Sequence, residues 1–403
     1  MLRSITFFEG SNLASFHPLT LTRPVHDLRV GFLTIGEKWL AELNTSGPAK
    51  SFLRSELKGL FPATEKLHEK EYAYWILSPQ LPTQSVVEQI NQLEPGQGLT
   101  CNGTLLAALV TADTHNRWIK NGPSADALST RELQADSCRI LHAVWDLLDA
   151  NGSEIEADIK RSPNRAQRLS KPPVGVQIIG SHPIYVDGEA VIEPGSVLVA
   201  EKGPIYIGNN ATIMAQSVLR GPVAVCDHAT VKVGGFLYEE TTIGPHCKVG
   251  GEIQNTIFHS YSNKGHSGFT GNSLFGQWVN LGADTNTSNL KNNYSAVRAY
   301  HYGKNEQVET GRQFLGTIMG DHSKTAINTM LNTGTVCGVS SNLFASSFPP
   351  KQIPSFRWIG DQKNEPYRLD DALDAMEKMM KRRSVLLTDP YIKLMTFLFK
   401  KQA

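Results

Sequence analysis

The sequence contains no apolar run that approaches the roughly 20 residues of a membrane helix, and its first residues lack the apolar stretch of a signal peptide. It also lacks an excess of either charge, with 39 Lys and Arg residues against 38 Asp and Glu residues and a net charge of +1. Such a balance gives no indication of a nucleic acid or an anionic membrane as a partner. We therefore expect a soluble cytoplasmic protein that binds neither.

Cysteine is also scarce. The five cysteines form no CxxC pair and show no metal-ligand spacing; they are Cys101, Cys138, Cys226, Cys247 and Cys337. We expect neither structural disulfides nor a zinc site. Cys337 falls in the repeat described next, where we expect it to act as a small apolar filler.

What the sequence has in abundance is a period of six, from about Val186 to Leu343. One apolar or small residue returns every six positions: Val186, Ile192 and Leu198; Ile207, Ile213, Leu219, Val225, Val231, Leu237, Ile243 and Val249; Phe269, Phe275 and Leu281; Met319, Thr325, Leu331, Cys337 and Leu343. This period fits neither a helix nor an alternating strand. Self-similarity sustained over such a length is typical of a solenoid.

The repeat predicts a parallel β-helix, in which each hexad is one short strand and three hexads make a triangular coil. The repeated residue should point inward, and the small or β-branched residue four places further on should turn the corner; examples are Ala211, Ser217, Val223, Ala229 and Thr241. Glycines that follow inward residues, such as Gly208, Gly244 and Gly282, should allow positive φ or close packing. A β-sandwich would instead alternate with period two over longer strands.

At 403 residues the chain is too long for one ordinary core. Residues 1–160 predict an α/β, Rossmann-like domain with a mainly parallel sheet, because strand-like segments (5–8, 72–77, 105–110) alternate with helical ones (33–43, 84–93). The basic, proline-bearing region 161–180 predicts a linker. Residues 181–350 would form the β-helix, and 351–403 a tail with helices at 369–383 and from Thr388 to about Lys400.

A polar segment interrupts the hexads, Asn263-Lys264-Gly265-His266-Ser267-Gly268-Phe269-Thr270-Gly271, before the repeat resumes as Val279-Asn280-Leu281-Gly282-Ala283-Asp284-Thr285. His266 and Asn280 are fourteen positions apart, somewhat less than one coil of about eighteen. The two residues could therefore lie on neighbouring coils. A histidine in such a place is suited to act as a general base.

These segments resemble the acetyltransferase half of the bifunctional N-acetylglucosamine-1-phosphate uridylyltransferase/glucosamine-1-phosphate acetyltransferase family. That family has a histidine in Gly-His-x-x-(aromatic)-x-Gly, an asparagine in Val-Asn-Ile-Gly-Ala-Gly-Thr, and a second asparagine nine residues later. Both spacings are kept here, with Asn289 as the second asparagine. The resemblance implies a left-handed β-helix and a homotrimer with sites between subunits. It implies His266 as the catalytic base, Phe269, Asn280 and Asn289 as substrate contacts, and Ala283 at the acetyl-CoA site.

The residue types suit that chemistry. A glucosamine amine is mostly protonated near neutral pH, and only the neutral amine attacks a thioester, so an imidazole within hydrogen-bond reach is needed. Asparagine side chains can both donate to and accept from sugar hydroxyls. The substrate-contacting tyrosine of the family is replaced by Phe269, which lacks the hydroxyl.

The family holds the substrate phosphate with basic residues upstream of the histidine, but the matching positions here are Phe236 and Gln254. Neither side chain can bind a phosphate by charge. Nearby cations that could substitute are Lys264, Lys232 and Lys248, and, from the insertion between Asn289 and Phe314, Lys291 and Arg298.

The first half lacks the family's glycine-rich Leu-x-x-Gly-x-Gly-Thr-Arg-Met loop and carries Phe8-Glu9-Gly10-Ser11-Asn12 and a segment from His17 to Gly31 instead. These segments resemble a divergent branch of the same family, that of the sugar nucleotidyltransferases. Arg23, Arg29 and Lys38 could neutralise a nucleoside triphosphate, with Asp27 near a Mg²⁺. Alternatively, Arg23 and Asp27 pair across a structural loop.

The sequence thus predicts an acetyl-CoA-dependent N-acetyltransferase, with a glucosamine-1-phosphate-like acceptor, joined to a sugar-1-phosphate nucleotidyltransferase with a UTP-like donor and Mg²⁺. Two alternatives stay open. Only one of the two activities is retained, or the protein is a non-catalytic trimeric scaffold or nucleotide-sugar sensor.

Overall fold

The structure is a computed structural model, and it describes residues 4–45 and 48–401. Met1–Arg3, part of the N-terminus considered above for a signal peptide, lie outside the described residues. By contacts the chain forms a sheet unit, made of Met1–Leu13, Thr22–Leu28 and Leu33–Ala143, and a solenoid unit, made of Ala14–Leu21, Arg29–Phe32 and Val144–Ala403. The domain limits at 160, 180 and 350 stay predictions.

Within the described residues, the main sheet of the sheet unit has six strands, in the order Lys50–Ser51, Ser4–Phe8, Tyr72–Leu77, Thr104–Thr111, Gln97–Cys101 and Ser129–Glu132. The predicted strands are all present, and the sheet is mainly parallel as predicted: of its described strands, five run in one direction and Thr104–Thr111 runs against them. Two of its strands are joined by the two-residue turn Asn102-Gly103, in which both residues have positive φ (49° and 72°). Such a turn closes an antiparallel hairpin.

Helices Ile35–Glu42, Gln84–Asn91 and Ala112–Asn121 begin after Thr34, Thr83 and Thr111. Each threonine accepts a hydrogen bond from the backbone N–H three residues further on, which satisfies a free donor of the first turn. Shorter strands lie at Arg29–Val30, Leu33–Thr34, Gln80–Leu81, Arg139–Ile140 and Gln167–Arg168, and 3-10 turns at Leu13–Phe16, Leu19–Leu21, Val25–Asp27, Ser55–Leu57, Ala125–Ala127 and Ala135–Ser137.

The solenoid unit has three parallel faces, as the hexads predict. The first face contains Ile184–Val186, Ile205–Ile207, Val223–Val225, Thr241–Ile243, Ile257–Ser260, Leu274–Gln277, Thr317–Met319, Thr335–Cys337 and Gln352–Ile353. The second contains Val191–Ile192, Thr212–Ile213, Thr230–Val231, Lys248–Val249, Asn263–Lys264, Lys324–Thr325, Asn342–Phe344 and Arg357–Gly360, with Lys363–Pro366 antiparallel at its end. The third contains Gln177–Gly180, Val197–Ala200, Val218–Arg220, Phe236–Leu237, Glu252–Gln254, Phe269–Gly271, Asn286–Thr287 and Met330–Leu331.

The repeated residues point inward and stack coil on coil. On the second face Ile213, Val231 and Val249 are in register and fully buried. Burying a column of this kind contributes about 1.5–3 kcal/mol per aliphatic side chain. Cys337 occupies such an inward position, as predicted.

Glycines after inward residues serve close packing rather than positive φ. A Cβ on Gly244 would lie 1.9 Å from the carbonyl oxygen of His259 on the next coil, and one on Gly282 would lie 2.2 Å from that of Ala326. Neither glycine has positive φ. The left-handed corner positions are held by other residues instead, among them His246, at φ 60°.

Around the polar segment the inward positions shift. The spacing between inward residues falls below six positions twice, from Val249 to Ile253 and from Ile253 to Phe258. The inward positions that follow are Lys264 and Thr270. Phe269 was predicted to point inward, and this prediction was wrong. Its neighbour Thr270 is fully buried, whereas Phe269 pairs with the outward Glu252 and is only half-buried.

Three helices complete the solenoid unit: Asp146–Arg161, Leu369–Lys381 and Asp389–Lys401. The last two are the predicted tail helices, and Leu394, Met395 and Leu398 of the final helix are buried. The antiparallel hairpin Arg298–His301 with Glu306–Glu309 forms the insertion after Asn289. Within the described residues, no helix is both long and apolar enough to cross a membrane.

Candidate active site

His266 lies at the corner that joins the second face to the third. It lines a groove of about 870 Å³ together with Phe269 and Ala283, and we call this the His266 groove. The glycines Gly250, Gly251, Gly265 and Gly268 also line it, so backbone is accessible to a ligand there. Three residues that the resemblance implied for one site are thus brought together.

Stacked corners hold the groove in shape. The backbone N–H of Asp284 donates to the carbonyl of Ser267 (3.1 Å), which fixes the Ala283 corner on the His266 corner. The side chain of His266 is exposed, and within the described residues its ring has no hydrogen-bond partner. An imidazole placed in this way is accessible to a substrate amine.

Lys264 does not line the His266 groove. Its side chain is 1% exposed, and Nζ donates to the carbonyl oxygens of Gly250 (3.1 Å), His266 (2.8 Å) and Ser267 (3.1 Å). Burial lowers the pKa of this ammonium to about 8, opposed by the Asp284 carboxylate. Lys264 therefore stabilises the His266 corner from inside the solenoid. Its predicted contact with a substrate has no geometric support.

Asn280 lies on the second face and lines a different cavity of about 460 Å³. Asn263 occupies the equivalent position one coil earlier, and its Nδ2 donates to Asn280 Oδ1 (3.0 Å). Five cations line the same cavity: Lys248, Lys324, Lys378, Arg382 and Arg383. We call it the basic pocket.

Two residues that line the basic pocket, Tyr261 and Trp278, belong to a column of stacked rings at the corner between the first and second faces. His228, His246, Tyr261 and Trp278 follow one another with ring centroids 4.7, 4.6 and 4.4 Å apart. All four have φ between 55° and 61°. Because both neighbours cover the face of Tyr261, it presents an edge to the pocket.

Asn289 lies elsewhere, after the third-face strand Asn286–Thr287. Its Nδ2 donates to Asn272 Oδ1 (2.7 Å). Asn272 borders a cavity of about 530 Å³ that also contains Glu156, Glu239 and Glu240. Asn289 lines neither the His266 groove nor the basic pocket.

In the sheet unit, Arg23 and Asp27 pair at 3.2 Å, and the Arg23 side chain is 2% exposed. Arg54 donates to the Arg23 carbonyl (3.0 Å) and to the Glu9 carboxylate (2.8 Å). Lys38 is fully buried within its helix. The observed pairing is the structural alternative stated for Arg23 and Asp27, and the nucleotide-binding roles of Arg23 and Lys38 stay predictions.

Arg29 belongs to the solenoid unit, where its Nε donates to the His259 carbonyl oxygen (3.1 Å) and its guanidinium also contacts the Phe32 carbonyl. It is 8% exposed. The nucleotide-binding role of Arg29 stays a prediction.

No group of three or more His, Cys, Asp or Glu residues in the described ranges could hold a metal ion. Asp27, the predicted Mg²⁺ ligand, is paired with Arg23. Because Mg²⁺ is held by one or two carboxylates together with substrate phosphates, the role of Asp27 as a Mg²⁺ ligand stays a prediction.

Sequence reasoning missed most of the basic pocket. Arg382 and Arg383 were predicted only to end the helix at 369–383, and Asn263 only to belong to the polar segment. The available signal was the pair Asn263 and Asn280, since both carry an amide at the same position of successive coils.

The fold is therefore that of a hexapeptide-repeat solenoid protein with a mixed α/β N-terminal sheet. Residues 5–166 match a family model described as sugar nucleotidyl transferase. The bifunctional protein GlmU of Synechococcus elongatus is 27% identical over 203 residues, which cover 45% of this chain and 40% of the relative. That of Methanocaldococcus jannaschii is 29% identical over 218 residues, covering 53% and 45%.

A third relative, the bifunctional sugar-1-phosphate nucleotidylyltransferase/acetyltransferase of Sulfurisphaera tokodaii, is 26% identical over 154 residues, covering 38% of each chain. The chain is thus a divergent relative of the bifunctional nucleotidyltransferase/acetyltransferase family, as the resemblance predicted. It spans less than half the length of each of these three relatives.

Likeness to solved structures is weak. The UDP-N-acetylglucosamine acyltransferase from Campylobacter jejuni is 12% identical, with 56% of this chain and 95% of that chain covered and a TM-score of 0.27. The polysialic acid O-acetyltransferase OatWY is 13% identical, with 47% and 86% covered and a TM-score of 0.25.

Proposed function

We propose that the solenoid unit transfers an acetyl group from acetyl-CoA to the amine of a sugar phosphate resembling glucosamine-1-phosphate, with His266 as general base. The observation that carries the proposal is the shared groove of His266, Phe269 and Ala283. It joins an exposed imidazole to a cleft along which a coenzyme can extend. The Sulfurisphaera tokodaii relative, whose name includes acetyltransferase, supports the same reaction class.

Acetyl transfer begins with attack of the substrate amine on the thioester and ends with release of the coenzyme thiol. The imidazole of His266 accepts a proton from the substrate amine as its nitrogen attacks the thioester carbonyl. Backbone N–H groups at the glycine-rich corner stabilise the oxyanion that develops on that carbonyl. The carbon–sulfur bond then breaks, and the coenzyme leaves as a thiol that takes up the proton. The products are the amide and free coenzyme A.

The site is completed by a second copy of the chain in a homotrimer. His266 lies at the corner between the second and third faces, whereas Asn289 follows the third face. If both contact one substrate, as the resemblance implies, we expect neighbouring copies to supply them. Closed cyclic symmetry provides three equivalent sites of this kind.

The sheet unit, in this proposal, makes the nucleotide sugar by joining a sugar-1-phosphate to the α-phosphate of UTP with release of pyrophosphate. Its support is the match of residues 5–166 to the sugar nucleotidyl transferase model. We derive no step through a resident Mg²⁺, because Asp27 is paired with Arg23. Both reactions require substrates of the cytoplasm, where we place the protein.

A second candidate is a protein that retains acyl transfer alone. The observation in its favour is the burial of Arg23 and Lys38, together with the replacement of the glycine-rich loop by Phe8-Glu9-Gly10-Ser11-Asn12. Cations that are buried in this way cannot reach a triphosphate without rearrangement.

The test is an assay of the full chain with glucosamine-1-phosphate, acetyl-CoA, Mg²⁺ and each nucleoside triphosphate in turn, in which free thiol and pyrophosphate are measured separately. Thiol together with pyrophosphate from UTP supports both reactions, and thiol alone supports the second candidate. Pyrophosphate alone contradicts the role of His266 with this acceptor. Absence of both products contradicts the proposal and favours a scaffold or sensor.

A further inference from the structure

The basic pocket has a positive charge that its own walls do not neutralise. Among its lining residues there is no carboxylate. Lys378 pairs with Asp374 on its own helix at 2.6 Å, but that pair is exposed. In the part of the chain that the structure describes, no carboxylate forms an ion pair with Lys248, Lys324, Arg382 or Arg383.

The fold brings these cations together from distant parts of the solenoid unit. Lys248 and Lys324 are outward residues of the second face, at the positions that precede Asn263 and follow Asn280. Arg382 and Arg383 come from the end of the helix Leu369–Lys381, where Ala375 and Met379 also line the pocket. The arrangement is therefore a ladder of Lys, Asn, Asn and Lys faced by two arginines.

The cations are close enough to oppose one another's charge. The pKa of Lys248 is lowered, first by Arg383 and then by burial, Lys232 and Arg382. Burial lowers the pKa of Lys324 to about 8, and its Nζ donates to the His322 carbonyl (2.9 Å). An anion bound among these groups would relieve the repulsion.

Aromatic recognition has little part in the pocket. Trp278 is 4% exposed and is stacked on Tyr261 (4.4 Å) and near His322 (6.1 Å), so its ring faces are covered. The amides of Asn263 and Asn280 supply the neutral hydrogen-bonding groups. The pocket can therefore recognise a ligand by its charge and by its hydroxyl groups, but not by stacking on a base.

We propose that the basic pocket binds the diphosphate of a phosphoanhydride ligand between the second face (Lys248, Lys324) and the tail arginines (Arg382, Arg383), with the two asparagine amides beside it. Arginine forks bind phosphate oxygens in pairs, and lysines add point charges. A single phosphate carries about two negative charges at most, whereas a diphosphate can contact both walls. A nucleoside-diphosphate sugar and coenzyme A share this chemistry.

Titration calorimetry of the full chain tests this inference with inorganic pyrophosphate, inorganic phosphate, UDP-N-acetylglucosamine, coenzyme A and uncharged N-acetylglucosamine. We expect pyrophosphate to bind about tenfold or more tightly than phosphate, with an affinity that falls as salt rises. UDP-N-acetylglucosamine and coenzyme A identify the source of the diphosphate by which of them binds more tightly. N-acetylglucosamine should not bind measurably.

Arg383→Gln and Lys248→Gln should each weaken pyrophosphate binding about tenfold, as expected for loss of one charge-assisted contact. Lys381→Gln is the matched control, because it makes the same charge change in the last turn of the same helix, on an exposed side chain that does not line the pocket. Equal weakening by all three variants would overturn the inference, and so would the absence of pyrophosphate binding to wild type.

This inference is tested independently of the proposed acyl transfer, because pyrophosphate binding is also measured on the His266→Ala variant. Pyrophosphate binding that is unchanged in that variant and weakened about tenfold by Arg383→Gln supports the pocket even if no thiol is ever released. Acyl transfer without any diphosphate binding that depends on Arg383 overturns the pocket and leaves the proposed function intact.

Discussion

Asn263 and Asn280 lie opposite each other on adjacent coils, with Asn263 Nδ2 donating to Asn280 Oδ1 at 3.0 Å. This bond occupies the acceptor of Asn280 and leaves its Nδ2 to donate to a ligand in the basic pocket. Three residues after each asparagine the chain reaches His266 and Ala283 of the neighbouring groove. The pair thus connects the two cavities through adjacent corners.

The resemblance implies that Asn280 contacts the sugar phosphate, so Asn263→Ala, which removes the partner that orients the Asn280 amide, should raise the KM for the sugar phosphate about five- to tenfold with little change in kcat. Steady-state kinetics of thiol release measure both constants. Thr230→Ala is the control, since Thr230 holds the same outward position two coils earlier and lies away from the pocket. A fall in kcat with unchanged KM would contradict this positioning role.

His266→Ala should lower kcat/KM for thiol release by about 10²–10⁴-fold, the range for loss of a general base. Because the side chain is exposed, the free energy of unfolding should stay within about 0.5 kcal/mol of wild type. His182→Ala, at another exposed histidine of the solenoid, should leave both quantities unchanged. Full activity of the His266 variant would remove the residue from the mechanism.

Gly244→Ala should destabilise the solenoid unit by about 3 kcal/mol or more, since the added Cβ would meet the backbone carbonyl of His259 at 1.9 Å. Gly360→Ala is the matched control, because its nearest neighbour would be the Cβ of Lys363 at 3.6 Å. Urea unfolding followed by circular dichroism compares the two. Similar stability of both variants would show that the coils can separate at this corner without cost.

Lys264→Met tests the buried ammonium through the pH dependence of stability. Burial lowers the pKa of Lys264 to about 8 in the folded chain, below its ordinary value of 10.5, so the unfolded state binds more protons between these limits. Wild type should therefore gain about 2 kcal/mol relative to Lys264→Met between pH 7.5 and 10. Lys324, whose pKa is also lowered, is present in both proteins and cancels.

Urea unfolding of both proteins at the two pH values gives the difference directly. A difference that does not change with pH would mean that the three carbonyl contacts keep Nζ charged to pH 10. The prediction would then be wrong, although the structural role of the residue would remain.

The hexads could be predicted because each inward residue is specified locally by its own coil. The shift around the polar segment could not, since it depends on two shortened intervals between Val249 and Phe258 that place Lys264 and Thr270 inside. A lysine at an inward position violates the apolar pattern. It is accommodated because its ammonium donates to three carbonyl oxygens of neighbouring corners.

The sites were predictable to different degrees. The grouping of His266 with Ala283 follows from coil spacing, so a motif locates it. The basic pocket requires Arg382 and Arg383 to return to a face formed more than fifty residues earlier, and no local pattern encodes that contact. The Arg23 and Asp27 pair was predictable only as one of two alternatives, because sequence alone does not give burial.

The most direct test of the central claim is complementation between two inactive variants, His266→Ala and Asn289→Ala, expressed separately and together with different tags. If one copy supplies His266 and its neighbour Asn289, random trimers from equal expression contain about one intact site in four. A trimer that contains both variants has one intact site out of three, so we predict that the purified mixed trimers recover about a third of wild-type thiol release, while each variant alone stays inactive. Mixed trimers no more active than either parent would contradict an acetyltransferase site shared between neighbouring copies.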